Sequence, residues 1–88
     1  MYSVRLSNAA EKAAKQLDEK MRARLADLFK RLEEIAVPFK EFDLVKLSSR
    51  QNVYRVRLSS HRILYEVFYS EKLIFVTKIE RRSETTYK

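Results

Sequence analysis

The sequence predicts an α+β domain in which an N-terminal strand and a two-helix hairpin precede a three- to four-stranded antiparallel meander, with the helices packed on one face of the twisted sheet. Three observations carry that expectation. Apolar residues at Leu25, Leu28, Phe29, Leu32 and Ile35 recur at the three-and-four spacing of an amphipathic helix. From Val53 to Leu58 apolar and cationic residues alternate, the period of a strand with one buried face. Short polar clusters, Ser59-Ser60-His61 and Ser70-Glu71-Lys72, set that segment off from two further runs rich in branched and aromatic residues. Strands joined by turns this short lie side by side.

Each element follows from local chemistry. Tyr2 to Leu6 alternates apolar and polar residues and reads as the first strand. Asn8, with Glu11 three residues on, has the form of a capping box, and the helix it opens aligns Ala10, Ala13, Ala14 and Leu17 on a narrow stripe that permits close packing. Asp18 and Glu19 fall at the reversal into the second helix, whose apolar stripe starts at Met21. Pro38 removes a donor and drives Val37 toward an extended conformation, so this helix is expected to end near Ala36. Leu44, Val45 and Leu47 mark a short extended piece. Val53 to Leu58, Arg62 to Tyr69 and Leu73 to Ile79 are the remaining strands. Tyr54, Tyr65, Phe68 and Phe75 are assigned with the helix stripes to the core. The chain has no glycine, so Ser, Asn and His are expected to fill the turn positions where glycine's freedom at positive φ is normally used.

The chain of 88 residues is read as a single domain, 1-88, with 45% hydrophobic residues to build a core. There is no Cys, and the lone His61 cannot build a multi-histidine site, so neither metal nor cofactor is expected. No apolar run approaches the ~20 residues of a membrane span, and the start lacks the pattern of a secretory signal, which points to the cytoplasm and away from membrane. The formal charge is +7, and its placement is uneven. Residues 1 to 44 carry 9 basic and 8 acidic side chains, whereas residues 45 to 88 carry 10 basic and 4 acidic ones. A positive excess confined to the strand-rich half points to a polyanion, and to nucleic acid before membrane, because these cations are not on an amphipathic helix. Arg55 and Arg57 lie on one face of their strand, about 7 Å apart.

The run Tyr54-Arg55-Val56-Arg57-Leu58, a turn, then Arg62-Ile63-Leu64-Tyr65-Glu66-Val67 resembles the hairpin of RelE-type toxins in the RelE/ParE superfamily, where a Tyr-Arg-x-Arg strand is followed by Arg-x-x-Tyr-Glu. The resemblance extends to the first strand and alanine-bearing helix, to Pro38, to Lys46-Leu47, and to the spacing of Arg81 and Tyr87. Where many relatives carry Gly-Asp-Tyr in the hairpin turn, this chain has Ser59-Ser60-His61.

The resemblance implies a type II toxin that enters the ribosomal decoding site, cleaves mRNA there without a metal, and is neutralised by a cognate antitoxin protein. The RNA's own 2′-hydroxyl is implied as the nucleophile. Such a reaction needs a base for that hydroxyl, charge stabilisation on the phosphate, and an acid for the leaving oxygen. Arg55, Arg57 and Arg62 are candidates for the phosphate cluster on the sheet face turned away from the helices. Arg81 matches the family arginine that acts as acid or charge stabiliser, Tyr87 the tyrosine that stacks on a base or orients the nucleophile, and Lys46 and Arg82 are RNA-docking candidates. Some relatives carry lysine at the positions of Arg55 and Arg57, and arginine does not give up its proton, so the base falls to Tyr87, water or a ribosomal group. Glu66 reads as an ion-pair partner of the arginines. Two alternatives share the fold: a ParE-like DNA gyrase inhibitor acting by protein contact, and a noncatalytic RNA-binding domain.

Overall fold

The computed structural model describes residues 1–47, 49 and 51–81. Strand β1 (Ser3–Leu6) is followed by helices α1 (Asn8–Lys15) and α2 (Glu19–Glu34), then by β2 (Asp43–Lys46), β3 (Val53–Leu58), β4 (His61–Phe68) and β5 (Leu73–Arg81). The sheet runs β1-β5-β4-β3-β2. The meander β2 to β5 is antiparallel throughout, as expected, and β1 adds a parallel edge to β5 that local patterning does not reveal. The first two strands in sequence are thus the two edges of the sheet. The helical hairpin carries the chain from one edge to the other.

The capping residue of α1 is Ser7, not Asn8. Ser7 keeps an extended backbone (φ −66°, ψ 165°), and its Oγ accepts from the Ala10 amide at 3.0 Å while donating to the Thr77 carbonyl at 2.9 Å. One hydroxyl therefore satisfies the helix start and ties it to β5. Asp18 caps α2 through the Met21 amide at 2.8 Å. That helix stops at Glu34, two residues before the expected end. Ile35 is already extended, and the Ala36 carbonyl accepts a buried 2.8 Å hydrogen bond from the Tyr65 hydroxyl.

The core lies between the hairpin and one sheet face. Ala10, Leu17, Met21, Leu25, Leu28 and Leu32 meet Val56, Ile63, Tyr65, Val67, Ile74 and Val76, with no buried polar or charged residue among those described. Fully burying Leu28 or Leu32 contributes about 1.5–3 kcal/mol each. Tyr54 and Tyr65 stack within this core, their centroids 5.6 Å apart. Phe68 and Phe75 do not join it. They pair with Leu73 and Glu66 and share the parity of Glu66, so the pleat turns them to the other face. Ile35, expected on the helix stripe, is exposed because the helix has already ended.

Among the described residues, two in turns take positive φ, Ser59 (55°) and Lys72 (53°). Serine was expected to stand in for glycine at such a position. Lysine was not.

Candidate nucleic-acid interface

Registry across the meander builds a row of side chains on the sheet face away from the helices. Asp43 pairs with Arg57, Arg57 with Arg62, and Arg62 with Glu80, giving the order acid, arginine, arginine, acid across four strands. Like charges directly opposite one another are destabilising, and here the two acids offset that repulsion from the flanks. They do so loosely. Arg57 Nη1 lies 3.4 Å from Asp43 Oδ2, and Arg62 Nε lies 4.0 Å from Glu80 Oε2, which is an ion pair but no hydrogen bond. Arg62 Nε is shut off from water yet has no hydrogen-bond partner among the described residues. A donor left in that state costs about 1–3 kcal/mol.

The adjoining row holds Val45, Arg55, Leu64 and Lys78. Arg55 is half-buried and Lys78 exposed. Composition gave no reason to single out Lys78, and only its pairing with Leu64 brings it to this face. Glu66, read from sequence as the arginines' ion-pair partner, makes no ion pair among the described residues. It lies four residues beyond Arg62, about 13 Å along the strand, and Asp43 and Glu80 take the role instead.

The structure brings Arg55, Arg57 and Arg62 onto one face but puts Arg81 elsewhere. Arg81 pairs with His61, and His61 with the buried Leu58, so both belong to the helix-bearing side at the end of the sheet. The cause is a bulge. Thr77 is the extra residue on β5 between the Leu64–Lys78 and Tyr65–Val76 pairs, and its Oγ1 donates to the Leu64 carbonyl at 3.3 Å. Each residue beyond a bulge exchanges faces. The apolar spacing Ile74, Val76, Ile79, a step of two followed by a step of three, carried that information in the sequence.

Lys46 also sits apart. It pairs with Tyr54 on the helix-bearing side, beside Tyr69, whose hydroxyl is pushed up chiefly by burial and is drawn down by the Lys46 charge. Arg82 and Tyr87 lie outside the described residues. The arrangement on the bare face is suited to a phosphate group. Planar forks on neighbouring strands supply several fixed donors that stay charged at any working pH.

The family model described as the ParE toxin of the type II toxin–antitoxin system parDE matches residues 4–86. A Methanocaldococcus jannaschii protein assigned as toxin RelE1 is 30% identical over 87 residues, covering 99% of this chain and 96% of the relative. Among solved structures, the RelE–RelB complex of the archaeon Pyrococcus horikoshii is 29% identical, with a TM-score of 0.86 over 96% of this chain and 98% of that one. The intact Escherichia coli RelBE complex, at 20% identity, shares the fold with a TM-score of 0.79 over 96% of this chain and 100% of that one.

Proposed function

Since this chain belongs to the RelE/ParE toxin superfamily and is RelE-like, we propose that it is an endoribonuclease that cuts mRNA on the translating ribosome and is neutralised by a cognate antitoxin. The observation that carries this reading is the opposed pair Arg57 and Arg62 on the bare sheet face. The RNA 2′-hydroxyl attacks the adjacent phosphorus, the bond to the 5′-oxygen breaks, and the products are a 2′,3′-cyclic phosphate and a 5′-hydroxyl. Arg57 and Arg62 hold the non-bridging oxygens as negative charge builds on them, and Arg55 holds the strand alongside. Removing one such donor commonly costs 10²–10³ in rate.

Neither arginine takes the proton of the attacking hydroxyl, so that role goes to Tyr87, water or a ribosomal group. Arg81 serves the leaving oxygen if the strand rounds the end of the sheet toward the helices. Lys46 and Arg82 assist docking on ribosomal RNA. The antitoxin is an acidic or apolar segment that covers the basic face, in keeping with the relative from P. horikoshii that was solved with RelB.

The test is primer extension on messenger from translating ribosomes exposed to the purified protein. Discrete cuts are expected, and they disappear with Arg57→Ala and Arg62→Ala while both variants stay folded. Undiminished cutting by both variants would remove the nuclease assignment. The match to the ParE family supports a second reading, inhibition of DNA gyrase by protein contact. Loss of supercoiling on adding the protein, with no messenger cuts, selects that reading.

A further inference from the structure

On the helix-bearing side, where α1 turns into α2 and β3 turns into β4, a cavity of about 360 Å³ opens. Its charged lining is Lys20 and Arg24 from the first turns of α2, Arg81 from the end of β5, and one carboxylate, Asp18, with the His61 imidazole from the start of β4 beside them. That carboxylate is already engaged, since its Oδ1 accepts from the Met21 amide as the cap of α2. Among the described residues none of Lys20, Arg24 and Arg81 makes an ion pair. Elsewhere in the chain arginines near acids are paired, Arg31 with Glu34 and Glu41, and Arg57 with Asp43.

The placement of these cations also opposes the fold's own electrostatics. Lys20 and Arg22 lie in the first turn of α2, the positive end of its dipole, where cations are disfavoured by about 0.3–1 kcal/mol, and Arg24 follows in the next turn. Only Glu19 among the first helical residues offsets them. Concentrated positive charge at a helix start, around a cavity with one committed carboxylate, is an arrangement that an anion stabilises, and among the described residues no acidic side chain forms an ion pair with Lys20, Arg24 or Arg81.

A second cavity of about 370 Å³ shares Arg24 and Ser59 with the first and extends to Arg57 and Asp43. It also contains Asp27 and Glu41, and Glu41 is committed to Arg31. The two cavities form a track around the end of the sheet, from Arg57 at the edge of the bare face, past Arg24 and Ser59, to His61 and Arg81.

The geometry points to a phosphate subsite in the first cavity, taking a backbone phosphodiester of single-stranded RNA close to the one held by Arg57 and Arg62. This rests on the nuclease reading and adds a path to it: the RNA bends over the β3–β4 end of the sheet. Arg81 then touches the same strand as Arg57 and Arg62, although it lies on the other side of the sheet. The phosphodiester belongs either to the messenger or to ribosomal RNA lying against it.

The test uses the double variant Lys20→Ala with Arg24→Ala in the full chain. Both side chains are exposed, and alanine suits a helix, so folding is expected to survive. The probe is a fluorescent single-stranded hexaribonucleotide, 2′-O-methylated so that it is not cut, titrated over a salt series. The affinity is expected to fall about tenfold, and the slope of log affinity against log salt to become shallower by about 0.7 for each phosphate no longer neutralised. The charge-conserving pair Lys20→Arg with Arg24→Lys is expected to keep most of the affinity. Loss with the free oligonucleotide assigns the phosphate to the messenger, and loss seen only in binding to programmed ribosomes assigns it to ribosomal RNA. Affinity and slope unchanged in both settings, or a loss confined to binding of an acidic protein partner, overturns the subsite. An RNA affinity that depends on this pocket in a protein that makes no messenger cuts defeats the nuclease reading and leaves the subsite standing.

Discussion

Replacing Arg62 by Met separates a residue kept for chemistry from one kept for the fold. Met has a similar stem length, so the packing of the half-buried aliphatic part is retained while the guanidinium is removed. The structure supplies the balance of terms. Arg62 Nε is a donor shut off from water with no acceptor among the described residues, and its removal relieves about 1–3 kcal/mol. The substitution also relieves the direct opposition to Arg57, about 0.2–1 kcal/mol. It forfeits the 4.0 Å pair with Glu80, worth about 0–1 kcal/mol because both side chains are over one-third exposed or close to it. The sum favours the variant by about 0.2–4 kcal/mol. In a chain of 88 residues that raises the melting temperature by about 4–8 °C per kcal/mol. Urea and thermal unfolding give the stability, and primer extension on translating ribosomes gives the activity, expected to fall at least 10²-fold. A variant less stable than the parent by 1 kcal/mol would show that the guanidinium holds the sheet together, and a variant that still cuts would show that it holds no phosphate. Either result refutes the reasoning.

Tyr65→Phe leaves the buried Ala36 carbonyl without its 2.8 Å donor and is expected to cost about 1–3 kcal/mol in urea unfolding at neutral pH. Burial raises the Tyr65 phenol well above its ordinary range, so its contribution is whole below about pH 10 and lost progressively above it as the unfolded chain ionises. The gap between parent and variant is therefore expected to narrow from pH 9 to 11, and a constant gap refutes the assignment. Ser7→Ala removes both the α1 cap and the tether to Thr77, a loss of about 0.5–2 kcal/mol by the same unfolding assay. The Arg31 guanidinium, by hydrogen bonding first and charge second, holds the Glu41 carboxyl below its ordinary value. Any stability the parent has over Glu41→Gln is expected above the ordinary carboxylate range, to disappear as pH falls through the depressed value, and to shrink in high salt. An advantage that survives strong acid refutes that origin.

The nature of the elements was written locally. The stripe through Leu25, Leu28 and Leu32 requires a helix that buries that face, and the alternation of Tyr54, Val56 and Leu58 with Arg55 and Arg57 requires a strand with cations outside, because both rest on fixed periods of the backbone. The structure bears out both. Ends of elements were less legible. The cap at Ser7 and the early end of α2 depend on the Thr77 carbonyl and the Tyr65 hydroxyl, partners 70 and 29 residues away.

The sequence by itself thus determined the α+β class, the order of elements, and the shared face of Arg55 and Arg57, since each follows from neighbours within a few residues. Only the tertiary structure decided which strands are edges, that Asp43 and Glu80 flank the arginine pair, and, at a bulge whose trace in the sequence is the uneven spacing of Ile74, Val76 and Ile79, that Arg81 faces the helices. Strand registry sets all three. A single bulge at Thr77 reverses every side chain beyond it, so one residue of local irregularity moves a guanidinium from one side of the sheet to the other.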